Sequence, residues 1–100
     1  MSTYIILSRL TDKGAETLKD KPQRLKEVNK EMEGFGLKAV AQYGVFGEYD
    51  FVNIVEAPND AAMAKAMVNL NSRGTIKTTT MTAIPVDELI KILKSKLTPP

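Results

Sequence analysis

Six side chains have types and spacing suited to chemistry. Tyr49 and Asp50 are adjacent, Asn53 and Glu56 follow at three-residue steps, and Thr78 and Thr80 alternate in a later threonine run. At Tyr49-Asp50 the carboxylate could act as a base or anchor a ligand, and the phenol could donate to a developing oxyanion. The favoured reading is structural: Asp50 beside a turn accepts backbone N–H groups, and Tyr49 buries its ring and pairs its hydroxyl. Glu56 shares parity with Asp50, Val52 and Ile54, so it lies on an apolar face near a strand end. Buried there it would serve as a base; the plainer expectation is an ion pair at the sheet edge with Arg9 or Lys77. Asn53, at the opposite parity, must satisfy its carboxamide in a pocket or at a dimer interface. Thr78, Thr80 and Thr82 share a face and could line a polar cavity, although β propensity alone accounts for threonines in a strand.

What the chain lacks narrows the chemistry further. It has no histidine, cysteine or tryptophan in 100 residues. That removes the usual neutral-pH base, thiol nucleophiles, iron–sulfur ligation and most zinc sites. No acidic loop has calcium-site spacing, and neither Gly34-x-Gly36 nor Gly44-x-x-Gly47 carries the lysine of a phosphate loop. No metal and no cofactor is expected. With 14 basic and 12 acidic residues interspersed, net charge is only +2, which disfavours a polyanion surface. No apolar run approaches membrane-span length and the N-terminus has no signal-peptide pattern, so the expectation is a cytoplasmic protein with no membrane partner.

These side chains must be held by elements that hydropathy and turn residues delimit. Residues 3–10, 37–46, 49–57 and 75–84 read as strands, the middle two forming a hairpin about Gly47-Glu48. Helices are expected over 15–20 and 22–33, broken near Lys21 by Pro22, then over 61–72 and 86–97, with a frayed tail at 98–100. Thr11 or Asp12 is the expected cap of the first helix, and Asn59 or Asp60 of the third. Leu25, Val28 and Met32 form one expected buried stripe. The order is a ferredoxin-like β-α-β-β-α-β arrangement with a C-terminal helix: an α+β domain spanning 1–100, with a four-stranded antiparallel sheet.

One face of such a sheet packs on helices and the other should be polar. Here Ile5 and Leu7 oppose Tyr4 and Ile6, and Val52 and Ile54 oppose Phe51 and Val55, so both faces are apolar. A second copy covering the bare face would make a homodimer, a dimeric α+β barrel with a pocket between or beneath the sheets; the alternative is a monomer whose apolar face is open or covered by its own C-terminal helix.

The stretch Gly47-Glu48-Tyr49-Asp50-Phe51-Val52-Asn53-Ile54-Val55-Glu56-Ala57-Pro58 resembles the signature of the GYD domain family, named for its Gly-x-Tyr-Asp hairpin. Leu10-Thr11-Asp12-Lys13-Gly14, Asp60, and Gly74 with Thr78, Thr80 and Ala83 fit the same pattern over nearly the whole chain. The resemblance implies a dimeric α+β barrel and no particular activity. The hairpin also resembles the ligand-binding domain of leucine-responsive regulatory proteins, which would make this chain a stand-alone sensing module. Against the RNA-recognition motif it matches at Tyr49, Phe51 and Val52. It fails at Gly47, Glu48, Asp50 and Ile54, two of them carboxylates, so no nucleic acid is expected.

The functional expectation is a small homodimeric or higher homo-oligomeric module that binds a small metabolite or assists a partner, and not an enzyme. The alternative is a cofactor-independent enzyme, monooxygenase- or isomerase-like, acting on a small hydrophobic substrate in the barrel pocket. Residues available to such an enzyme would be Tyr49, Asp50 and Glu56.

Overall fold

A computed structural model describes residues 1–95. Its elements run β1 (Ser2–Leu10), α1 (Asp12–Asp20), α2 (Arg24–Gly34), β2 (Lys38–Gly44), β3 (Phe51–Ala57), α3 (Asp60–Ser72), β4 (Ile76–Ala83) and α4 (Val86–Lys94). The four strands form one antiparallel sheet in the order β2-β3-β1-β4, the ferredoxin-like arrangement. The expected positions 96–100, Leu97 and the tail included, lie outside the described residues.

Local chemistry sets the boundaries. Thr11 caps α1 by accepting the Gly14 N–H on its hydroxyl at 3.1 Å, and Asn59 caps α3 by accepting the Ala62 N–H at 2.9 Å. Between α1 and α2 the chain turns through Lys21, Pro22 and Gln23, so α2 starts two residues later than Pro22 alone suggests. The β2–β3 hairpin is looser than expected. Its strands end at Gly44 and resume at Phe51, because Val45 N–H donates to the Asp50 carbonyl at 2.8 Å and closes a wider loop. Gly47, at φ 129°, occupies backbone that L side chains rarely adopt.

The core sits between the helices and one sheet face. Tyr4 and Ile6 of β1, with Val55 and Ala57 of β3, meet Met32 of α2 and Met63, Ala66 and Leu70 of α3. Small residues along α3 let it lie close to the sheet. Gly14 does the same for α1: a Cβ there would sit 1.9 Å from the Thr75 carbonyl oxygen. Of the expected α2 stripe, Met32 is buried and Val28 packs against the core, but Leu25 is 44% exposed. Leu25 falls at the α1–α2 break, where the helix layer parts from the sheet.

The opposite sheet face carries Ile5, Leu7, Val52 and Ile54, none fully buried, with Tyr43 and Met81 exposed. The C-terminal helix does not cover it. Every residue of α4 is exposed, including Leu89, Ile90 and Leu93. The molecule is accordingly long, 54 × 29 × 22 Å, with a radius of gyration of 15.7 Å, where a compact chain of this length has about 13 Å.

Candidate functional site

The sheet's helix-side face is filled at one end and hollow at the other. Where α1 and α2 part around Lys21, they leave a cavity of about 520 Å³ over the Ser8 end of the sheet. This lies on the helix side, not between sheets. Its volume falls inside the roughly 300–1,000 Å³ of small-molecule pockets. Its walls are apolar, with Ile6, Leu18, Val28, Met32, Phe51 and Ile76 among them.

Three polar side chains reach its floor. Ser8 is only 4% exposed, and its hydroxyl makes no hydrogen bond among the described residues. Asn53, whose register partner on β1 is Ile6, lies on the same face, and its carboxamide likewise has no partner there. Thr78 is occupied: its hydroxyl accepts from Asn71 Nδ2 at 2.8 Å, and its N–H donates to Asn71 Oδ1 at 3.1 Å. The charged lining residues are Lys13, Arg24, Lys26 and Arg73, and no Asp or Glu is among the lining residues. Arg24 pairs with Glu27 and Arg73 with Glu31, whereas Lys13 and Lys26 have no ion-pair partner among the described residues. At one side of the mouth Gln42 and Asn29 exchange two hydrogen bonds of 2.7 Å.

The structure divides the six residues singled out from the sequence. Asn53 and Thr78 line the cavity; Tyr49, Asp50, Glu56 and Thr80 do not. Asp50 holds the hairpin to β1. Its carboxylate accepts the Leu10 N–H at 2.8 Å, and its own N–H donates to the Ser8 carbonyl at 2.9 Å. The half-buried Tyr49 ring lies under the Arg9 guanidinium, 5.3 Å from its centroid, a cation–π geometry. Arg9 also bonds Glu48 Oε1 at 3.0 Å, so it is not the partner expected for Glu56. Glu56 instead lies opposite Lys38 on the outer face, half-buried and in no ion pair among the described residues. Thr80 is exposed on β4 beyond the cavity.

Sequence reasoning missed Ser8, Lys13 and Lys26. Serine's place opposite Thr78 and Phe51 on a helix-facing parity was available as a signal. The lysines converge only through the α1–α2 break. Also unforeseen was the bond from the Tyr4 hydroxyl to Asp60 Oδ1, which ties β1 to the start of α3. That bond, and the nearby negative charge, hold the Tyr4 phenol above its usual 10.0.

Among the described residues no group of three or more His, Cys, Asp or Glu side chains comes together, and no helix is long and apolar enough to cross a membrane.

A protein of Thermus thermophilus, named glutamine synthetase and cystathionine beta-lyase binding protein, is 59% identical over 95 residues. The match covers 94% of this chain and all of that protein. Two crystal structures share the fold at a TM-score of 0.56. FFRP-DM1 is 23% identical, with 84% of this chain and all of that one covered. TTHA0845, also from Thermus thermophilus, is 18% identical, with 85% and 95% covered. The GYD domain model matches residues 4–93, a span from the first core residue of β1 almost to the end of α4, and the chain belongs to the GYD domain family.

Proposed function

We propose that this protein is a cytoplasmic homodimeric module that docks on metabolic enzymes. The observation that carries the reading is apolar surface left without a partner at two separate places. One is α4 with the outer sheet face. A nine-residue helix is too short to hold itself together in water, and its Leu89, Ile90 and Leu93 stay exposed among the described residues. Two copies facing each other through their sheets, each laying α4 on the other, would bury both surfaces. The other is the β2 edge and hairpin, where Val40, Tyr43 and the fully exposed Phe46 stand out. An aromatic side chain on a loop held by Asp50 is the kind of anchor that carries binding energy.

The relative's name supplies the partner class: glutamine synthetase and cystathionine beta-lyase. The helix-side cavity gives the same chain room for a small-molecule ligand. Binding is favoured over catalysis because neither Asp50 nor Glu56 faces that cavity, and no other carboxylate lines it.

Sedimentation velocity on the full chain and titration of purified glutamine synthetase with it test the two halves. The expected result is a dimer at micromolar concentration that binds the enzyme, with Phe46→Ala still dimeric but no longer bound. A monomer would overturn the pairing, and enzyme binding unaffected by Phe46→Ala would overturn the hairpin as the docking element.

A further inference from the structure

The cavity beneath α1 and α2 combines three features that packing alone does not require. Its walls are apolar. On its floor lie two polar side chains with no partner among the described residues, Ser8 and Asn53, one of them nine-tenths buried. Its charged lining residues are all basic; Glu27 and Glu31 offset Arg24 and Arg73, whereas Lys13 and Lys26 are unpaired among the described residues. Neither polar group is sealed off: among the described residues the only buried side-chain oxygen or nitrogen without a hydrogen bond is Glu31 Oε2, so Ser8 and Asn53 present free hydrogen-bonding groups to whatever fills the cavity. Like charges converging at an apolar mouth favour an anion there. A wholly apolar guest would leave Ser8 and Asn53 unsatisfied.

The geometry points to a binding site for a mid-length organic acid whose carboxylate sits at Lys13 and Lys26 and whose apolar tail carries a hydroxyl or carbonyl that reaches Ser8 and Asn53. The acid lies against the α1–α2 break, with its chain against Ile6, Val28, Met32 and Phe51. This deepens the small-molecule part of the proposed function and does not depend on enzyme docking.

The test is a ¹⁵N–¹H NMR titration of the full chain with three probes: ω-hydroxydecanoate, decanoate and decanediol, all below micelle-forming concentration. ω-Hydroxydecanoate should give saturable shifts at Ser8, Asn53 and Ile76. Decanediol, without the charge, should bind about tenfold more weakly, the order of one charge-assisted contact. Decanoate, without the hydroxyl, should bind measurably more weakly. Lys13→Gln with Lys26→Gln should erase the advantage over decanediol, and Ser8→Ala the advantage over decanoate. Both sets of changes are small or on the surface, so folding is retained. No saturable binding, equal affinity for the three probes, or advantages that survive the matched variants would overturn the site. Because the titration uses the chain alone, its failure leaves enzyme docking untouched, and failed docking leaves the titration interpretable.

Discussion

At Asp50 the side chain and main chain act together. The carboxylate takes the Leu10 N–H, and the Asp50 N–H goes to the Ser8 carbonyl, so the hairpin loop is stitched to β1 across the floor strand of the cavity. Asp50→Ala leaves the Leu10 N–H without its acceptor. Hydrogen bonds to charged groups contribute about 1.5–3 kcal/mol, so urea unfolding should show a loss of about 2 kcal/mol. Asp50→Asn, which keeps an acceptor oxygen, should lose less than half of that. Tyr4 gives a pH signature. Its hydroxyl donates to Asp60, which raises the phenol's pKa in the folded chain above the unfolded 10.0. The neutral form is the one stabilised, so the contribution is complete below pH 10.0 and fades as pH rises through the folded value. Thermal stability should therefore fall away in alkali for the natural chain and more shallowly for Tyr4→Phe. The backbone-accepting role of Asp50 could be read from its place beside a turn. The partner of Arg9 could not, because loop curvature between Gly44 and Phe51 decides which carboxylate comes within reach.

Among the elements, α1 is seated most closely. Gly14 brings it against Thr75, and Thr11 anchors it through its N–H to the Thr75 carbonyl at 3.0 Å and its hydroxyl to the Gly74 carbonyl at 2.7 Å. Alanine is the better helix former by about 1 kcal/mol, yet Gly14→Ala should lower stability, by about 1–3 kcal/mol, because the new methyl meets main chain that cannot move aside. Differential scanning calorimetry would read this as a lower Tm. Asn59→Ala should cost about 1 kcal/mol through the lost α3 cap. Strand order and helix positions were legible because alternation, cap residues and Pro22 are local signals. The cavity was not, since Leu25, Val28 and Met32 have the spacing of one buried stripe. The spacing does not show that Leu25, in the first turn of α2 after Lys21, stays 44% exposed at the edge of the space over Ser8.

Over the whole molecule, apolar side chains are divided between a packed core and a second set that stays half-buried or exposed among the described residues. Both could be read from sequence, since Ile5, Leu7, Val52 and Ile54 alternate against an equally apolar opposite parity. That α4 would stand away from its own sheet was not legible, because its amphipathic pattern fits either its own face or another's. On the proposed pairing, apparent stability depends on protein concentration: Tm should rise as the chain is concentrated, and a Leu89→Ser, Leu93→Ser variant should lose that dependence. The stand-off of α4 also has a kinetic consequence. α4 follows β4 after Ile84 and Pro85, and among the described residues every one of its side chains is exposed. On the proposed pairing, the sheet and its helices can assemble as soon as the chain is made, but α4 is covered only on an encounter with a second copy. Refolding should then show a second-order phase whose half-time halves when the concentration is doubled. A cell making little of the protein would leave a greasy segment open to chaperones and proteases for longer than one making much.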